Sequence, residues 1–182
     1  MKSINELSAL PVSTSLLADD TVEFHAARIL LLIGLCGTSH RIDGLTKLAK
    51  LDFFVRYPQF FDKVCITLGE NSESVLESVE SSMIRHHYGP WDHRYYEVLA
   101  YLRSRGLIQI FKEKNTYKFK LTDIGKKRMR KLAKESSYEN ICEQMRRVKK
   151  VFGSKAGSTL KRLIYEVFEQ EVSQKSLGEI IE

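Results

Sequence analysis

Three of the chain's five histidines lie close together in the stretch MIRHHYGPWDHRYYEVLAYL, which runs from Met83 to Leu102. Imidazole and carboxylate groups bind zinc, so this stretch raises the question of a metal site. Adjacent side chains on a helix point about 100° apart, and the HExxH spacing of helical zinc sites is missing. The spacing argues against a metal, and we expect no metal and no cofactor. The side chains weighed as ligands are His86, His87, Asp92 and His93.

The residues needed for nucleophilic catalysis are not arranged for it either. An activated serine or cysteine needs a neighbouring base, and the chain has no GxSxG motif. Cys36 lies in an apolar run, where burial is expected to raise the pKa of its thiol. The phosphate-binding patterns GxxxxGKS/T and GxGxxG do not occur. We therefore expect no catalytic residues, and an enzyme such as a nuclease is the interpretation with the least support.

Positive charge is concentrated in one part of the chain. Residues 101–163 carry 19 Lys and Arg against five Asp and Glu, whereas the whole chain has 29 against 23. This asymmetry points to a polyanionic partner, either nucleic acid or an acidic protein surface; the alternative is a set of solvated lysine-rich helix faces. Such point charges suit phosphates and read little base sequence. The candidate nucleic-acid-binding residues, with double-stranded DNA as the partner, are Lys112, Lys114, Lys118, Lys120, Lys126, Lys127, Arg128, Arg130, Lys131, Arg146, Arg147, Lys149 and Lys150.

The hydrophobic pattern predicts the elements that would position these residues. Glu23–Cys36 is apolar almost all round, which predicts a buried helix ending at Gly37. Leucines and a valine at helical spacing predict a second helix over residues 45–55, which Asp43 would N-cap and Pro58 would end.

The stretch around GPWD is predicted to form a corner between two helices. The acidic segment 71–84 has apolar residues at helical spacing, and Tyr95–Leu102 has them again. Gly89-Pro90 predicts a turn between these helices, because proline fixes φ and glycine permits unusual angles. Asp92 is placed to N-cap the second of them.

A β-hairpin and a basic helix follow. Residues 107–113 and 116–121 alternate apolar and polar side chains around the tight turn Lys114-Asn115, and Thr122 is placed to N-cap the helix that comes next. Helix, hairpin and helix in this order predict a mainly α chain with a winged helix-turn-helix core, in which the hairpin is the wing. The recognition helix would be Tyr95–Arg105. Its few cations lie near its end, so backbone or end binding fits better than base reading.

The remaining pattern divides the chain. Residues 1–22 are expected to be an irregular lead-in, 23–135 a winged-helix domain with a helical insertion near 59–84, and 136–182 a C-terminal extension of two amphipathic helices. The three cysteines form no CxxC pair and indicate a reducing compartment. The apolar run Ile29–Cys36 is too short to span a bilayer. We therefore expect a cytoplasmic protein without membrane contact.

Two stretches together resemble a known family. IDGLTKLAKLDFFVRYPQFF and MIRHHYGPWDHRYYEVLAYLRSRGLIQI are similar to the pattern KLxKLDFxxRYP, RxxYGPWDxRYY and LxxRGLI of the middle component of bacterial ABC three-component systems. This resemblance covers about Ile42–Gln109. The family is a winged-helix accessory subunit of an SMC/Rad50-like ATPase, as in Lamassu-type anti-phage and anti-plasmid defence.

The resemblance implies a non-enzymatic subunit of a bacterial defence complex. The ATPase would hydrolyse ATP and sense foreign DNA, and a separate effector, often a nuclease, would do the damage. The small subunit would bind the ATPase and the effector. The motif positions are either folding determinants or contacts; they are Lys47, Lys50, Asp52, Arg56, Tyr57, Pro58, Tyr88, Gly89, Pro90, Trp91, Asp92, Arg94 and Tyr95.

The exposed aromatic and charged residues of this region are hypothesised to form a partner-docking surface. The residues assigned to partner binding are Arg56, Tyr57, Tyr88, Trp91, Asp92, Arg94 and Tyr95. The alternative function is a free-standing winged-helix transcriptional regulator that binds DNA and forms a dimer through its C-terminal helices.

Overall fold

The computed structural model describes residues 21–70, 83–86, 89–168 and 176–181, with the backbone alone at 85 and 86. Within these ranges the chain is mainly helical, with two small antiparallel sheets. None of the described helices is long and apolar enough to cross a membrane. The helices are α1 Val22–Cys36, α2 Leu45–Arg56, α3 Pro58–Thr67, α4 Tyr95–Ser104, α5 Asp123–Leu132, α6 Glu139–Phe152 and α7 Gly157–Val167, with a 3-10 turn at Ser136–Tyr138. The strands are β1 Arg41–Asp43, β2 Met83–His86, β3 Gly89–Trp91, β4 Ile108–Glu113, β5 Thr116–Leu121 and β6 Ile180–Ile181.

Helix α1 lies at the centre of the core because its sequence is apolar on nearly every side. The side chains from Ile29 to Ile33 are at most 2% exposed. The helix ends at Cys36 and Gly37 follows it, as predicted. Lys149 Nζ from α6 donates to the carbonyl oxygens of Cys36 and Gly37 at 3.1 and 2.9 Å. This cation therefore satisfies carbonyl groups that every helix leaves open at its C-terminal end.

Helix α2 begins differently from the prediction. The assignment of Asp43 as its N-cap is wrong, because the N-cap is Gly44 and no side chain caps the helix. The Asp43 carboxylate is bound instead by Arg41 Nε at 2.8 Å and by Lys118 Nζ at 2.9 Å. Pro58 ends α2 as predicted and occupies the first turn of α3, where its missing N–H is not needed.

The predicted hairpin is present as β4 and β5, which pair along their whole length. Lys114 and Asn115 form its two-residue turn with φ of 46° and 63°, the left-handed geometry that matches strand twist. Strand β1 pairs with the outer side of β5 and gives the order β1-β5-β4. Ile42 lies opposite Phe119 in this register, and both are buried, which attaches the hairpin to the core.

The second sheet replaces part of a predicted helix. Met83 and Ile84 belong to β2, so the helical prediction is wrong at these two residues; its other residues, 71–82, lie outside the described part of the chain. Strand β2 pairs with β3 on one side and with the distant β6 on the other. Gly89-Pro90 therefore belongs to a strand and not to a turn between two helices. Proline is tolerated here because β3 is an edge strand.

The later helices complete a single core. Helix α5 has Thr122 as its N-cap, as predicted, with the Oγ1 atom accepting from Gly125 N at 2.9 Å. Helix α6 packs against α1 and α2, and helix α7 packs against α2. The rings of Phe152 and Phe54 lie 4.5 Å apart between α6 and α2. One hydrophobic cluster includes buried side chains from all seven helices, so the C-terminal helices share the core of the preceding residues.

Candidate functional site

The resemblance motifs converge on a group of charges inside the protein. Arg56 Nη1, at the end of α2, lies 2.8 Å from Asp92 Oδ2 and 3.9 Å from Asp52 Oδ2. Arg28 from α1 reaches the same two carboxylates, with Nε 3.2 Å from Asp52 Oδ1 and Nη2 3.7 Å from Asp92 Oδ2. None of these four residues is more than 3% exposed. This buried charge cluster (Arg28, Asp52, Arg56 and Asp92) joins α1, α2 and the segment that leads into α4.

Two neighbours of Asp92 in sequence add hydrogen bonds to the cluster. The Tyr95 hydroxyl donates to Asp52 Oδ2 at 2.7 Å. Arg94 forms a bidentate pair with Asp92, in which Nε donates to Oδ1 at 2.9 Å and Nη2 donates to Oδ2 at 3.0 Å. Its Nη1 donates to His25 Nε2 at 2.6 Å. Because a buried charge is costly unless it is paired and hydrogen-bonded, these contacts explain how the carboxylates are accommodated.

The surroundings hold Asp92 and Tyr95 in fixed protonation states near neutral pH. Burial tends to raise the pKa of Asp92, but hydrogen bonds from Arg94 and the positive charge of Arg56 outweigh it and hold the pKa well below its usual range. Burial and the charge of Asp52 raise the pKa of Tyr95 well above its usual value. Asp92 therefore stays ionised and Tyr95 stays a donor. That suits a scaffold better than a general acid or base, whose pKa lies near the working pH.

Lys50 is a further buried cation of the same region. Its Nζ donates to the carbonyl oxygen of Pro90 at 2.9 Å, and the residue is 0% exposed. Burial, with a smaller effect from the charge of Lys161, lowers the pKa of Lys50 to about 7. Gly89 packs against it with φ of +91°, and a Cβ there would lie 3.4 Å from Lys50 Nζ and 3.3 Å from the ring of Tyr165. Glycine is required at this position both for its backbone angle and for this close approach.

Four of the residues assigned to partner binding are turned into the protein. Arg56 and Asp92 belong to the buried charge cluster, and Tyr95 binds it. The Tyr57 hydroxyl accepts from the backbone N–H of β2 at 2.6 Å and donates to a carbonyl of β6 at 2.9 Å. This placement corrects the interpretation of these four as a contact surface, because their side chains hold elements of the chain together.

The other three assigned residues differ from these four. Trp91 is half-buried, with its ring 5.2 Å from that of Tyr95 in an edge-on arrangement. The Arg94 side chain is 22% exposed while it binds Asp92. Tyr88 lies outside the described residues. A contact with a partner stays a prediction for Trp91 and Arg94, which the structure leaves partly at the surface.

The thirteen cations assigned to nucleic acid separate into two groups. Four are engaged within the chain: Lys118 pairs with Asp43, Lys126 with Asp123 at 2.9 Å, Arg147 with Asp62 at 2.6 Å, and Lys149 with the end of α1. Their charge is partly or fully used by these contacts. The other nine are exposed on the β4–β5 hairpin, α5 and α6: Lys112, Lys114, Lys120, Lys127, Arg128, Arg130, Lys131, Arg146 and Lys150.

The outer face of α4 carries little positive charge. Its exposed residues include Tyr96, Glu97, Ala100 and one cation, Arg103. Tyr96 is 67% exposed. This face and the β4–β5 hairpin, which is the predicted wing, enclose an apolar groove of about 650 Å³. This α4–wing groove is lined by Leu45, Tyr96, Leu99, Ala100, Arg103, Ser104, Ile110, Tyr117 and Phe119.

His25 and Arg28 are the members of this site that were not predicted from the sequence. Both lie on α1 and are 1% exposed. The available signal was chemical: a histidine and an arginine in an otherwise apolar helix need buried partners. Identifying those partners requires the tertiary structure, because Asp52 and Asp92 lie on other elements.

The described residues contain no group of three or more His, Cys, Asp or Glu side chains placed to hold a metal ion. His87 lies outside those residues, and Asp92 is engaged by arginines.

Burial raises the pKa of the Cys36 thiol to about 12, so the prediction of a raised pKa is confirmed.

Comparison with known proteins identified no relative. No protein-family model matches the chain. No curated protein and no solved structure matches it either.

Proposed function

We propose that the chain is a non-enzymatic accessory subunit of an SMC/Rad50-like ATPase complex in prokaryotic defence against phages and plasmids, as in Lamassu-type systems. In this role it works in the cytoplasm and binds the ATPase and an effector, for example a nuclease. The starting point is the resemblance of KLAKLDFFVRYP and YGPWDHRYY to the middle component of ABC three-component systems. The arrangement of the described residues supports this assignment in three ways.

The order of elements supports a winged helix-turn-helix core. Helix α1, the short strand β1 and helix α2 come first, α4 takes the recognition position, and β4 and β5 form a wing that leads into α5. Strand β1 pairs with β5, so that the wing belongs to a three-stranded sheet. In this proposal, α3, β2 and β3 are the insertion between the two halves.

The outer face of α4 is the observation that carries the proposal. A helix that reads bases presents polar and cationic side chains to the groove of DNA. Helix α4 instead presents Tyr96, Ala100 and a single cation, Arg103, beside an apolar groove that Tyr117 flanks on the wing side. Tyrosine and arginine around an apolar floor are typical of protein interfaces. We therefore assign the α4–wing groove to a protein partner.

The buried motif explains how that surface is kept in shape. On α2, Lys50 donates to the carbonyl of Pro90 and Arg56 binds Asp92, just before α4, while Asp52 accepts from Tyr95 in the first turn of α4. The motif residues therefore act as folding determinants that position α4 beside the wing. A surface that is ordered before binding loses less conformational entropy when its partner docks.

The exposed cations of the wing, α5 and α6 supply a second role. In the complex they hold the DNA backbone through phosphate contacts that do not depend on base sequence. The same cations favour the second candidate function, a free-standing winged-helix transcriptional regulator. That candidate requires binding to one operator in preference to other DNA.

Co-expression distinguishes the two candidates. The chain is expressed with an SMC/Rad50-like ATPase encoded by a neighbouring gene, and the mixture is separated by size exclusion. An accessory subunit elutes with the ATPase at a fixed ratio. A regulator elutes alone as a monomer or homodimer and selects one sequence from a random DNA pool.

A further inference from the structure

A second groove lies on the other side of α4, between that helix, α1 and α5. It has a volume of about 720 Å³. Its floor is apolar and includes Ala26 and Leu30 of α1 and Leu102 of α4, which are buried. Ile124 of α5 also lines this α1–α5 groove and is 61% exposed. An apolar cleft of this size has room for several side chains of a partner.

The rim of the α1–α5 groove is predominantly cationic. Arg105, Arg128 and Lys131 line it and are exposed, against two exposed acids, Glu23 and Glu135. Helix α5 itself carries five Lys and Arg against one Asp, so the groove lies within a positive field. An apolar floor with a cationic rim is complementary to a surface that combines aliphatic and acidic side chains.

The cations of α5 separate into two faces. Ile124, Arg128 and Lys131 follow the helical spacing i, i+4, i+7 and line the groove. Lys127 and Arg130 are exposed on the same helix but do not line it. The two pairs, Arg128 with Lys131 and Lys127 with Arg130, are matched in charge and helix. They provide a built-in comparison of groove contacts with general electrostatic attraction.

We propose that the α1–α5 groove docks an acidic amphipathic helix of a partner protein, with its aliphatic stripe on the apolar floor and its carboxylates on Arg105, Arg128 and Lys131. An apolar floor between helices suits a helix whose anchors recur at i, i+3, i+4 and i+7. This inference rests on the proposed function in one respect: the helix belongs to the ATPase or to the effector. It also assigns Arg128 and Lys131, both among the candidate DNA contacts, to a protein.

The test uses the full chain and a synthetic peptide, without the ATPase. The probe is a fluorescent helix of about 15 residues, a length at which isolated helices begin to form, with Leu at i, i+3, i+4, i+7 and Glu on its flanks. Fluorescence anisotropy measures its affinity. R128E/K131E is expected to weaken binding at least about tenfold, and I124D to weaken it similarly, because each removes a side chain that would touch the peptide. K127E/R130E is expected to stay within about twofold.

Several results overturn the inference. One is that the acidic peptide fails to bind; another is that the same peptide with Lys in place of Glu binds equally well. Equal losses of peptide affinity for R128E/K131E and K127E/R130E would indicate nonspecific electrostatic attraction. If duplex DNA displaces the peptide, and only R128E/K131E weakens the binding of that DNA, the groove is a DNA site. If sedimentation shows that the chain is a dimer and that I124D dissociates it, the groove is occupied by a second copy of the chain. Thermal unfolding of each variant verifies folding, which exposed substitutions preserve.

The two proposals fail separately. If the peptide does not bind, the proposal of an acidic helix in the α1–α5 groove is wrong, but the ATPase can still dock on the α4–wing groove. If the chain does not elute with the ATPase, the proposed function is wrong. The binding of the peptide to the isolated chain is measured independently of that result.

Discussion

Arg56 Nη1 and Asp92 Oδ2 lie 2.8 Å apart inside the protein, although 36 positions separate the two residues in sequence. The pair connects the end of α2 to the segment that begins α4. Arg28 from α1 reaches the carboxylates of both Asp92 and Asp52, and Tyr95 donates to Asp52, so α1 is tied to this connection as well. The motif RYP therefore contributes Arg56, and the motif GPWD contributes Asp92, to the same buried charge cluster.

Removing one partner of this cluster is expected to be costly. Arg56→Met leaves the carboxylate of Asp92 inside the protein with fewer cations, and it is expected to lower the free energy of unfolding by about 3–5 kcal/mol. Urea denaturation measures the change. The matched control is Arg41→Met, because the Arg41–Asp43 pair is about 40% exposed on both sides; its effect is expected to stay below about 1 kcal/mol. Similar effects for the two variants would contradict the scaffold role.

Lys50 predicts a characteristic dependence of stability on pH. Its pKa is about 7 in the folded chain and about 10.4 when unfolded. Between these values the unfolded chain binds a proton at Lys50 that the folded chain has released. Its contribution to the free energy of unfolding therefore rises with pH from about 7 to 10, by about 1.4 kcal/mol per pH unit, and it is most unfavourable below pH 7.

Lys50→Met is expected to remove this rise. Urea denaturation between pH 6 and about 9.5 compares the variant with the parent chain, and Lys127→Met serves as the control because Lys127 is exposed. A profile for Lys50→Met as steep as that of the parent chain would show that Lys50 is not the group responsible.

The outer cations of α5 are expected to contact DNA phosphates. K127E/R130E should weaken binding to several unrelated duplexes by similar factors. The slope of log affinity against log salt concentration should fall by about two, one for each phosphate that the variant no longer neutralises. Titrations at three or more salt concentrations measure both quantities. Loss of affinity for one sequence alone would favour the transcriptional regulator.

The α4–wing groove is expected to bind the ATPase through its aromatic edges. Y96S/Y117S should weaken the complex with the ATPase at least about tenfold, because exposed tyrosines beside an apolar floor are frequent hot spots. Ile66→Ser is the control, since Ile66 is 70% exposed on α3, away from the groove. Biolayer interferometry with immobilised ATPase measures both variants. An equal loss for Ile66→Ser would mean that the groove is not the docking site.

Several local features of the fold were predictable from the sequence. The turn at Lys114-Asn115 and the cap at Thr122 depend on neighbouring residues, and both are confirmed. Features that depend on distant partners were not predictable. Met83 has helical spacing with its upstream neighbours, yet it pairs with Ile181, and no local pattern encodes that pairing.

The same distinction applies to the site. The motif around Asp92 was recognised, but its role as a docking surface or a folding determinant depended on where its side chain points. Asp43 failed as a helix cap because Arg41 and Lys118 compete for its carboxylate. Lys118 comes from a strand 75 positions away, and such a competitor can be identified only in three dimensions.

The most direct test of the central claim is the mass of the complex between the chain and its ATPase. The two proteins are co-expressed, purified through a tag on the ATPase and analysed by size-exclusion chromatography with light scattering. The accessory-subunit assignment predicts one peak whose mass equals the ATPase plus a whole number of copies of this chain. A chain that separates from the ATPase at micromolar concentration and elutes alone would contradict the assignment.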